Sequence, residues 1–349
     1  MTTDDVLIAG AGIGGLAAAL ACRRAGAAVR VYERAVAFGE VGAGIQIGPN
    51  VTRILHAWGL ADALARVAAF PDRLQVRSAA SGRELGVLTL GRSALQRYGA
   101  PYATVHRADL HQLLLAALQG QGGAELVLGA QLDGFSQSPL SVVLALADGR
   151  RICGAALIGA DGLWSPVRQG LLGDGMAQPT GHLAYRALLK QDDLPSALRS
   201  GQVTVWLGPQ MHVVQYPVRA GAELNLVAIV HGDPDWLRAA NALPGKLANW
   251  NQHADGADVA GALHGVCAPL RALVEAAGGW RLWILCDRPP MSGPEQHAQG
   301  RVALLGDAAH PMRPYLAQGA GMAIEDAQVL AACLGDGLGD VAAQLQAFA

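Results

Sequence analysis

The chain has 349 residues, 52% of them hydrophobic and 15% charged, and 26 Lys+Arg against 28 Asp+Glu leave a formal charge of -2. A length of that order fits about two domains with a sizeable core. The near balance of charge gives no electrostatic footprint for nucleic acid or for an anionic membrane surface.

Arg, Asp or Glu interrupts every apolar run before the roughly 18 residues a spanning helix requires, so no membrane span is expected. The N-terminus MTTDDVLIAG puts two acids ahead of an apolar run, the reverse of a secretory leader, and a cytoplasmic location is the expectation. The five cysteines, at 22, 153, 267, 286 and 333, are odd in number and never closer than 19 positions, which offers neither a disulfide framework nor a C-x-x-C site. They read as small buried hydrophobes in a reducing compartment, and no metal site is expected.

The first elements spell a β-α-β unit: an apolar strand over 6–9, a glycine turn, an Ala/Leu helix to about Arg24, then a strand from Val29 to Tyr32. Gly10, Gly12 and Gly15 form G-x-G-x-x-G, and Glu33 follows Gly15 by 18 residues with Arg34 beside it. Each glycine has its own reason: Gly10 permits the tight turn, Gly12 lets backbone approach a pyrophosphate, and Gly15 lets helix pack on strand. The helix N-terminus offers N–H donors to phosphate, and Glu33 can accept from a ribose diol while repelling a 2'-phosphate. The site therefore suits FAD or NAD rather than NADP, with Gly10, Gly12, Gly15, Glu33 and Arg34 as cofactor residues.

Glycines at 42, 44 and 48 then bring backbone close to something flat, with Gly44 as a further cofactor candidate, before Pro49-Asn50 opens an amphipathic helix. Arg107 stands just ahead of the next helix, where it can turn toward an anionic ligand. Asp148-Gly149 reads as a hairpin turn. An apolar run ends in Gly159-Ala160-Asp161-Gly162, and Ser165-Pro166 opens a short helix carrying Arg168. From about 180 to 270 the texture changes to alternating strands with turns at Gly208-Pro209 and around Ala220-Gly221, which predicts an antiparallel sheet. In its middle strand His212, Val214 and Tyr216 share a face, with His212 and Tyr216 about 13 Å apart at Cα, a span that frames one aromatic ring. Near the end LLGDAAHPMRPYLAQGAGMAIEDA stops an apolar run at Gly306-Asp307, sets prolines at 311 and 314, and opens a helix near Gly319 and Gly321.

With these motifs in hand, the chain resembles the single-component FAD-dependent aromatic hydroxylases, the group that includes p-hydroxybenzoate, salicylate, 3-hydroxybenzoate and 6-hydroxynicotinate monooxygenases. The resemblance runs over nearly the whole chain and rests on G-A-G-I-G-G with Glu33, G-A-D-G-L-W-S-P-V-R and G-D-A-A-H-P in that order. It implies an α/β fold, a Rossmann-like FAD-binding domain from residues 1–70, 101–178 and 271–349, with an antiparallel-sheet substrate domain from 71–100 and 179–270. It also implies that Asp307 meets the ribityl chain, that Arg107 reaches the FAD, and that Asp161 and Arg168 contact cofactor and pyridine nucleotide. Pro314, Gly319 and Ala320 would lie against the isoalloxazine ring, where backbone N–H groups at a helix N-terminus can stabilise a reduced flavin's charge.

The pattern H-x-x-x-Y-P at His212, Tyr216 and Pro217 implies a substrate pocket. A phenol with pKa near 10 must lose its proton before an electrophilic oxygen attacks the ring, and His212 is the expected base, with Tyr216 as an orienting donor. Gln46, Met211, Trp206, Tyr185 and Arg186 are candidate walls or ordinary core, and His310 is either a ligand-facing group or a hydrogen-bonded turn residue. The implied cycle is reduction of FAD by NADH or NADPH, capture of O2 as a C4a-hydroperoxide in a dry pocket, and oxygen transfer to a small aromatic or heteroaromatic substrate. With no second dinucleotide fingerprint, the nicotinamide cofactor would visit a transient site. A homodimer stays open as the assembly. Family members continue past the helix over 326–349 where this chain stops at QLQAFA.

Two rivals remain: a related epoxidase or halogenase, the latter disfavoured because Trp280 and Trp283 are spaced W-x-x-W instead of W-x-W, and a non-catalytic FAD-binding redox sensor.

Overall fold

In a computed structural model, which describes residues 4–39, 43–232, 252–335 and 338–349, the N-terminal signature folds as its sequence reads. Strand β1 (Val6–Ala9) runs into helix Ile13–Arg24 and then β2 (Val29–Tyr32). The contacts divide the chain into two units, the first drawn from Met1–Glu40, His111–Gln178 and Asp287–Ala349.

The first unit is built on a six-stranded sheet. Its order is β18 (Ala298–Gln299), β19 (Val302–Leu304), β11 (Ala156–Gly159), β1, β2 and β7 (Ala124–Val127). From β19 to β7 every pairing is parallel, and β18 turns back antiparallel onto β19. Parallel strands covered on both faces read as continuous apolar runs, and Leu7, Ile8, Leu157, Ile158, Val302 and Leu304 are all fully buried. Helix Ile13–Arg24 packs along helix Gly319–Leu334. Beside this lies an antiparallel sheet of β8 (Leu132–Gln137), β9 (Val142–Leu146) and β10 (Arg151–Gly154), and Asp148-Gly149 makes the expected β9–β10 hairpin.

The second unit comprises Val41–Leu110 and Pro179–Cys286. Its eight-stranded sheet runs β16 (Gln252–Ala254), β17 (Trp280–Asp287), β12 (Gln178–Lys190), β15 (Glu223–His231), β14 (Met211–Val218), β13 (Val203–Gly208), β4 (Arg73–Ser78), β5 (Glu84–Thr89). The expected three-run meander is β13, β14 and β15, antiparallel with turns where the sequence put them. The sheet is not wholly antiparallel, because β4 joins β13 in parallel. Of the stretch read as strands, 233–251 lies outside the described residues, as does Gly42.

The units fall at other points than the expected domain boundaries. Residues 41–70 and 101–110 join the sheet unit because β3 (Gly44–Ile47) and β6 (Ala103–His106), themselves an antiparallel pair, are tied to it. Gly44 N donates to Asn225 Oδ1 at 2.7 Å, and the Thr104 hydroxyl donates to the Pro217 carbonyl. Residues 271–286 follow because β17 extends the sheet beside β12. Cys22 and Cys286 are buried and the other three cysteines half-buried; burial pushes the Cys22 thiol up to about 12.

Candidate functional site

The level ends of four parallel strands set the geometry of the first unit's site. In register, Ala9 lies beside Gly159 and Tyr32, and Gly159 beside Leu304. Three loops therefore leave the same sheet edge side by side: the glycine turn after β1, the Asp161 loop after β11 and the Asp307 loop after β19. Backbone bonds weld them, from Gly10 N to Tyr32 O at 2.8 Å, Ala160 N to Ala9 O at 2.9 Å and Leu305 N to Gly159 O at 2.9 Å. The carboxyl edge of a parallel sheet is where such folds bind ligands.

The three glycines differ in what surrounds them. Gly10 holds φ +95°, and a Cβ there would sit 2.6 Å from the Ala160 carbonyl oxygen; a Cβ on Gly15 would strike the Gly10 carbonyl. A Cβ on Gly12 would meet nothing within 4 Å. Gly12 is the N-cap of helix Ile13–Arg24, which has no side-chain cap and no acid in its first turn, so the leading N–H groups of the helix suit an anion. Glu33 Oε2 accepts from Ala11 N and Oε1 from Ala35 N, each at 2.8 Å. A carboxylate oxygen has a second lone pair, so Glu33 braces the turn and keeps acceptor capacity for a diol. Arg34 is exposed. His111, one helical turn past Arg107, bonds the Ala11 carbonyl through Nε2 at 2.8 Å and packs edge-on to Phe38.

In the second loop Asp161 is half-buried, accepting from the Ser165 hydroxyl and, at 3.1 Å, from Val167 N, while Ser165 Oγ caps helix Pro166–Leu172 through Arg168 N at 2.8 Å. Burial pushes the Asp161 carboxyl up to about 6 against these lowering hydrogen bonds. Arg168 corrects the expectation of a cofactor contact. It is 1% exposed, with Nε on Asp174 Oδ2 at 2.6 Å, Nη1 on the Ala309 carbonyl at 2.9 Å and Nη2 on the Pro289 carbonyl at 2.9 Å. Its fork is turned inward, and Asp174 also holds Arg288 at 2.8 Å. Arg168 thus ties the Asp161 helix to the backbone beside Asp307.

Asp307 sits half-buried in a short turn, Gly306–Ala308, and its Oδ1 lies 3.6 Å from where a Cβ on Gly319 would be. Helix Gly319–Leu334 starts there with no side-chain cap and no acid in its first turn. Pro314, Gly319 and Ala320 are half-buried, Leu316 is 81% exposed, and Ala317 holds φ 52°, a left-handed conformation that costs a non-glycine residue about 1–2 kcal/mol.

Asp326 anchors this loop. Its Oδ2 accepts from Gly306 N at 2.9 Å and meets His310 Nε2 at 2.6 Å. Burial opposes the charged imidazolium of His310, but the hydrogen bond to Asp326 and its charge outweigh this and hold the pKa above the ordinary value. A raised folded-state pKa adds stability that is fully present below the unfolded value near 6.5 and is lost as pH rises through the folded value. The gap in melting temperature between the native chain and His310→Gln is therefore expected to be larger at pH 6 than at pH 9. An equal gap at both would mean that folding leaves the proton affinity of His310 unchanged.

In the second unit Arg107 opens helix Arg107–Gln121 with an exposed side chain and donates its N–H to the Ala43 carbonyl at 3.0 Å. Unbroken register along β14 puts His212, Val214 and Tyr216 on one face. His212 is half-buried, and burial together with the neighbouring His182 holds its pKa below the ordinary value, so the ring is neutral at pH 7 with an acceptor nitrogen. Tyr216 corrects a second expectation. Its hydroxyl donates to the Gly44 carbonyl at 2.6 Å, so its one proton is used within the unit, and burial raises its pKa above 10. Gly44 is there because a Cβ would strike the Tyr216 ring.

Arg186 shares the His212 face, its guanidinium 5.2 Å above the Trp283 ring, and burial with the charge of Arg107 lowers its pKa to about 10. Tyr185 is buried on the opposite face, Trp206 is buried with its indole N–H on Gln215 Oε1 at 2.9 Å, Met211 is half-buried and Gln46 accepts from the Tyr102 hydroxyl.

Open space at Gly12, two uncapped helix N-termini and acids at Glu33 and Asp307 suit a dinucleotide with an anionic pyrophosphate and polyhydroxylated arms. That architecture defines a dinucleotide-binding flavoprotein fold. The chain belongs to the FAD binding domain family, which it matches over residues 3–230 and 292–345. It is 38% identical over 340 residues to 3-hydroxybenzoate 6-hydroxylase 1 of Aquipseudomonas alcaligenes, covering 97% of this chain and 83% of that protein. It is 37% identical to 6-hydroxynicotinate 3-monooxygenase of Bordetella bronchiseptica, covering 93% and 81%. Klebsiella pneumoniae HpxO complexed with FAD and uric acid superposes with a TM-score of 0.83 at 27% identity, covering 99% and 82%. The family-level resemblance read from the three motifs is met. Among the described residues no helix is long and apolar enough to cross a membrane.

Proposed function

We propose that the chain is an FAD-dependent monooxygenase that hydroxylates a small phenolic aromatic or heteroaromatic ring, with NADH or NADPH as electron donor. The observation that carries the reading is the row of three loops at one sheet edge, with open space at Gly12 and acids at Glu33, Asp161 and Asp307 around it. The Gly12 turn and its helix would hold the pyrophosphate, Glu33 the ribose diol and Asp307 the ribityl arm, with N–H groups at Gly319–Gly321 facing negative charge. Asp161 keeps its loop in place through Ser165, and Arg168 does the same for the backbone beside Asp307. A bound FAD would supply the two-electron chemistry between nicotinamide nucleotide and O2 by which one oxygen atom enters the ring and the other leaves as water.

His212 takes the phenolic proton. A neutral imidazole at pH 7 is the form that can do so, and a ring ionised to phenolate is richer in electrons where oxygen enters. Arg186, with its guanidinium over the Trp283 ring, is a cation suited to a carboxylate on the ring. The named relatives act on hydroxybenzoate and hydroxynicotinate, which carry both groups.

The test is a panel of 3-hydroxybenzoate, 3-amino-4-hydroxybenzoate, salicylate and 6-hydroxynicotinate added to FAD-loaded protein with NADH or NADPH. At least one should raise nicotinamide oxidation by about tenfold or more, a barrier change of about 1.4 kcal/mol. Bound FAD with no response to any phenol would favour a redox sensor.

A further inference from the structure

The sheet face that carries His212 carries two more histidines, aligned by strand register. His182 on β12 pairs with His231 on β15, and His212 on β14 pairs with Ile229, two residues before His231. Alternation places all three on one face. The Nε2 atoms of His182 and His231 are 3.1 Å apart, and the rings meet edge-on with centroids 4.3 Å apart. His212 is the diagonal neighbour of His231, a relation that sets Cα atoms about 7–8 Å apart, within reach of aromatic side chains. The row thus runs from half-buried His212 on β14 through exposed His231 on β15 to half-buried His182 on β12.

Among the described residues the other charged or titratable groups on this face are Arg186 on β12, Tyr216 on β14, His253 on β16 and Arg281 and Asp287 on β17, with Lys190 and Glu223 paired at the far end. Arg107 acts on Arg186, and Tyr102 on Tyr216. Arg186 keeps its proton at neutral pH, and the Tyr216 hydroxyl donates to the Gly44 carbonyl, which has no proton to hand on. Neither can pass a proton on, and the histidine row can.

We infer that His182 and His231 form a relay that moves the proton of His212 to and from water. The inference rests on the reading of His212 as proton acceptor. The phenolic O–H bond breaks as an N–H bond forms on one ring nitrogen of His212. The other nitrogen gives up its proton toward the His182–His231 pair, and exposed His231 releases one to water; no electrons move. Only one proton fits between two Nε2 atoms at hydrogen-bond distance, so one ring of the pair always presents an acceptor.

The test mixes FAD-loaded protein with 3-hydroxybenzoate, and separately with 6-hydroxynicotinate, in weak buffer at pH 7 and follows phenolate absorbance in a stopped-flow cell. His212→Gln should lose the phenolate amplitude. His182→Asn/His231→Asn should keep the amplitude but reach it at least about tenfold more slowly, and added imidazole should restore the rate, as for a displaced acid–base group. Should the double variant fold poorly, His231→Asn alone, at an exposed site, carries the same expectation. A relay variant that ionises either probe at the native rate, or that loses amplitude with no response to imidazole, overturns the relay while leaving His212 in place. If the native chain ionises neither probe, or His212→Gln keeps full amplitude, the reading of His212 fails and the relay falls with it.

Discussion

Gly12→Val is expected to leave the unfolding free energy of the FAD-free protein within about 0.5 kcal/mol of the native value, while FAD affinity falls at least about a hundredfold, or about 2.8 kcal/mol. The two effects separate because the position is tight for nothing in the protein. Gly12 has φ -71°, an ordinary value for any residue, and a Cβ there meets open space. That space is where backbone N–H groups of helix Ile13–Arg24 are left for an anion. Gly15→Val is the control, since its side chain would strike the Gly10 carbonyl and lower stability with or without cofactor. Thermal unfolding with and without FAD, and flavin fluorescence on titration, read both quantities. Retention of FAD by Gly12→Val would remove the pyrophosphate from this turn.

Arg168→Ala should cost about 3–5 kcal/mol of stability, the range for breaking one partner out of a buried ion pair. The side chain is 1% exposed, and its loss leaves the Ala309 and Pro289 carbonyls without their donor and Asp174 facing Arg288 alone. Arg168→Lys should recover little, because one ammonium cannot reproduce a planar fork that serves an acid and two carbonyls on different loops. Urea unfolding measures the loss, and a weaker grip on FAD is expected beside it because Ala308–Ala309 adjoins Asp307. Full stability with a changed preference between NADH and NADPH would instead return Arg168 to the ligand.

What could be read from the sequence was what repeats locally. Four-residue apolar runs before glycine turns gave β1, β11 and β19, because a strand buried on both faces leaves no polar phase. Short turns at Gly208–Met211 and Arg219–Gly221 gave the meander, and with it the face shared by His212 and Tyr216. Partners far apart in the chain could not be read. The hydroxyl of Tyr216 ends on a carbonyl 172 positions away, and the guanidinium of Arg168 reaches Ala309 across 141. An arginine after Ser-Pro looks ligand-facing until Asp174, beyond the helix, turns it inward. Asp326 reads as an ordinary helical acid because its partners Gly306 and His310 lie in a loop 16 to 20 positions back. His111 was the one legible omission: four residues after Arg107 on a helix, it shares that residue's face. The domain limits shifted for the same reason, since β3 is held to the large sheet by Asn225 and Tyr216.

The most direct measurement supplies FAD-loaded protein with NADH or NADPH, 3-hydroxybenzoate or 6-hydroxynicotinate, and isotopically labelled O2, and weighs the product. A hydroxylase predicts a ring product carrying one labelled oxygen atom, in step with nicotinamide consumed. Nicotinamide consumed with labelled peroxide alone, for every ring offered, or a product whose new oxygen comes from water, would contradict it.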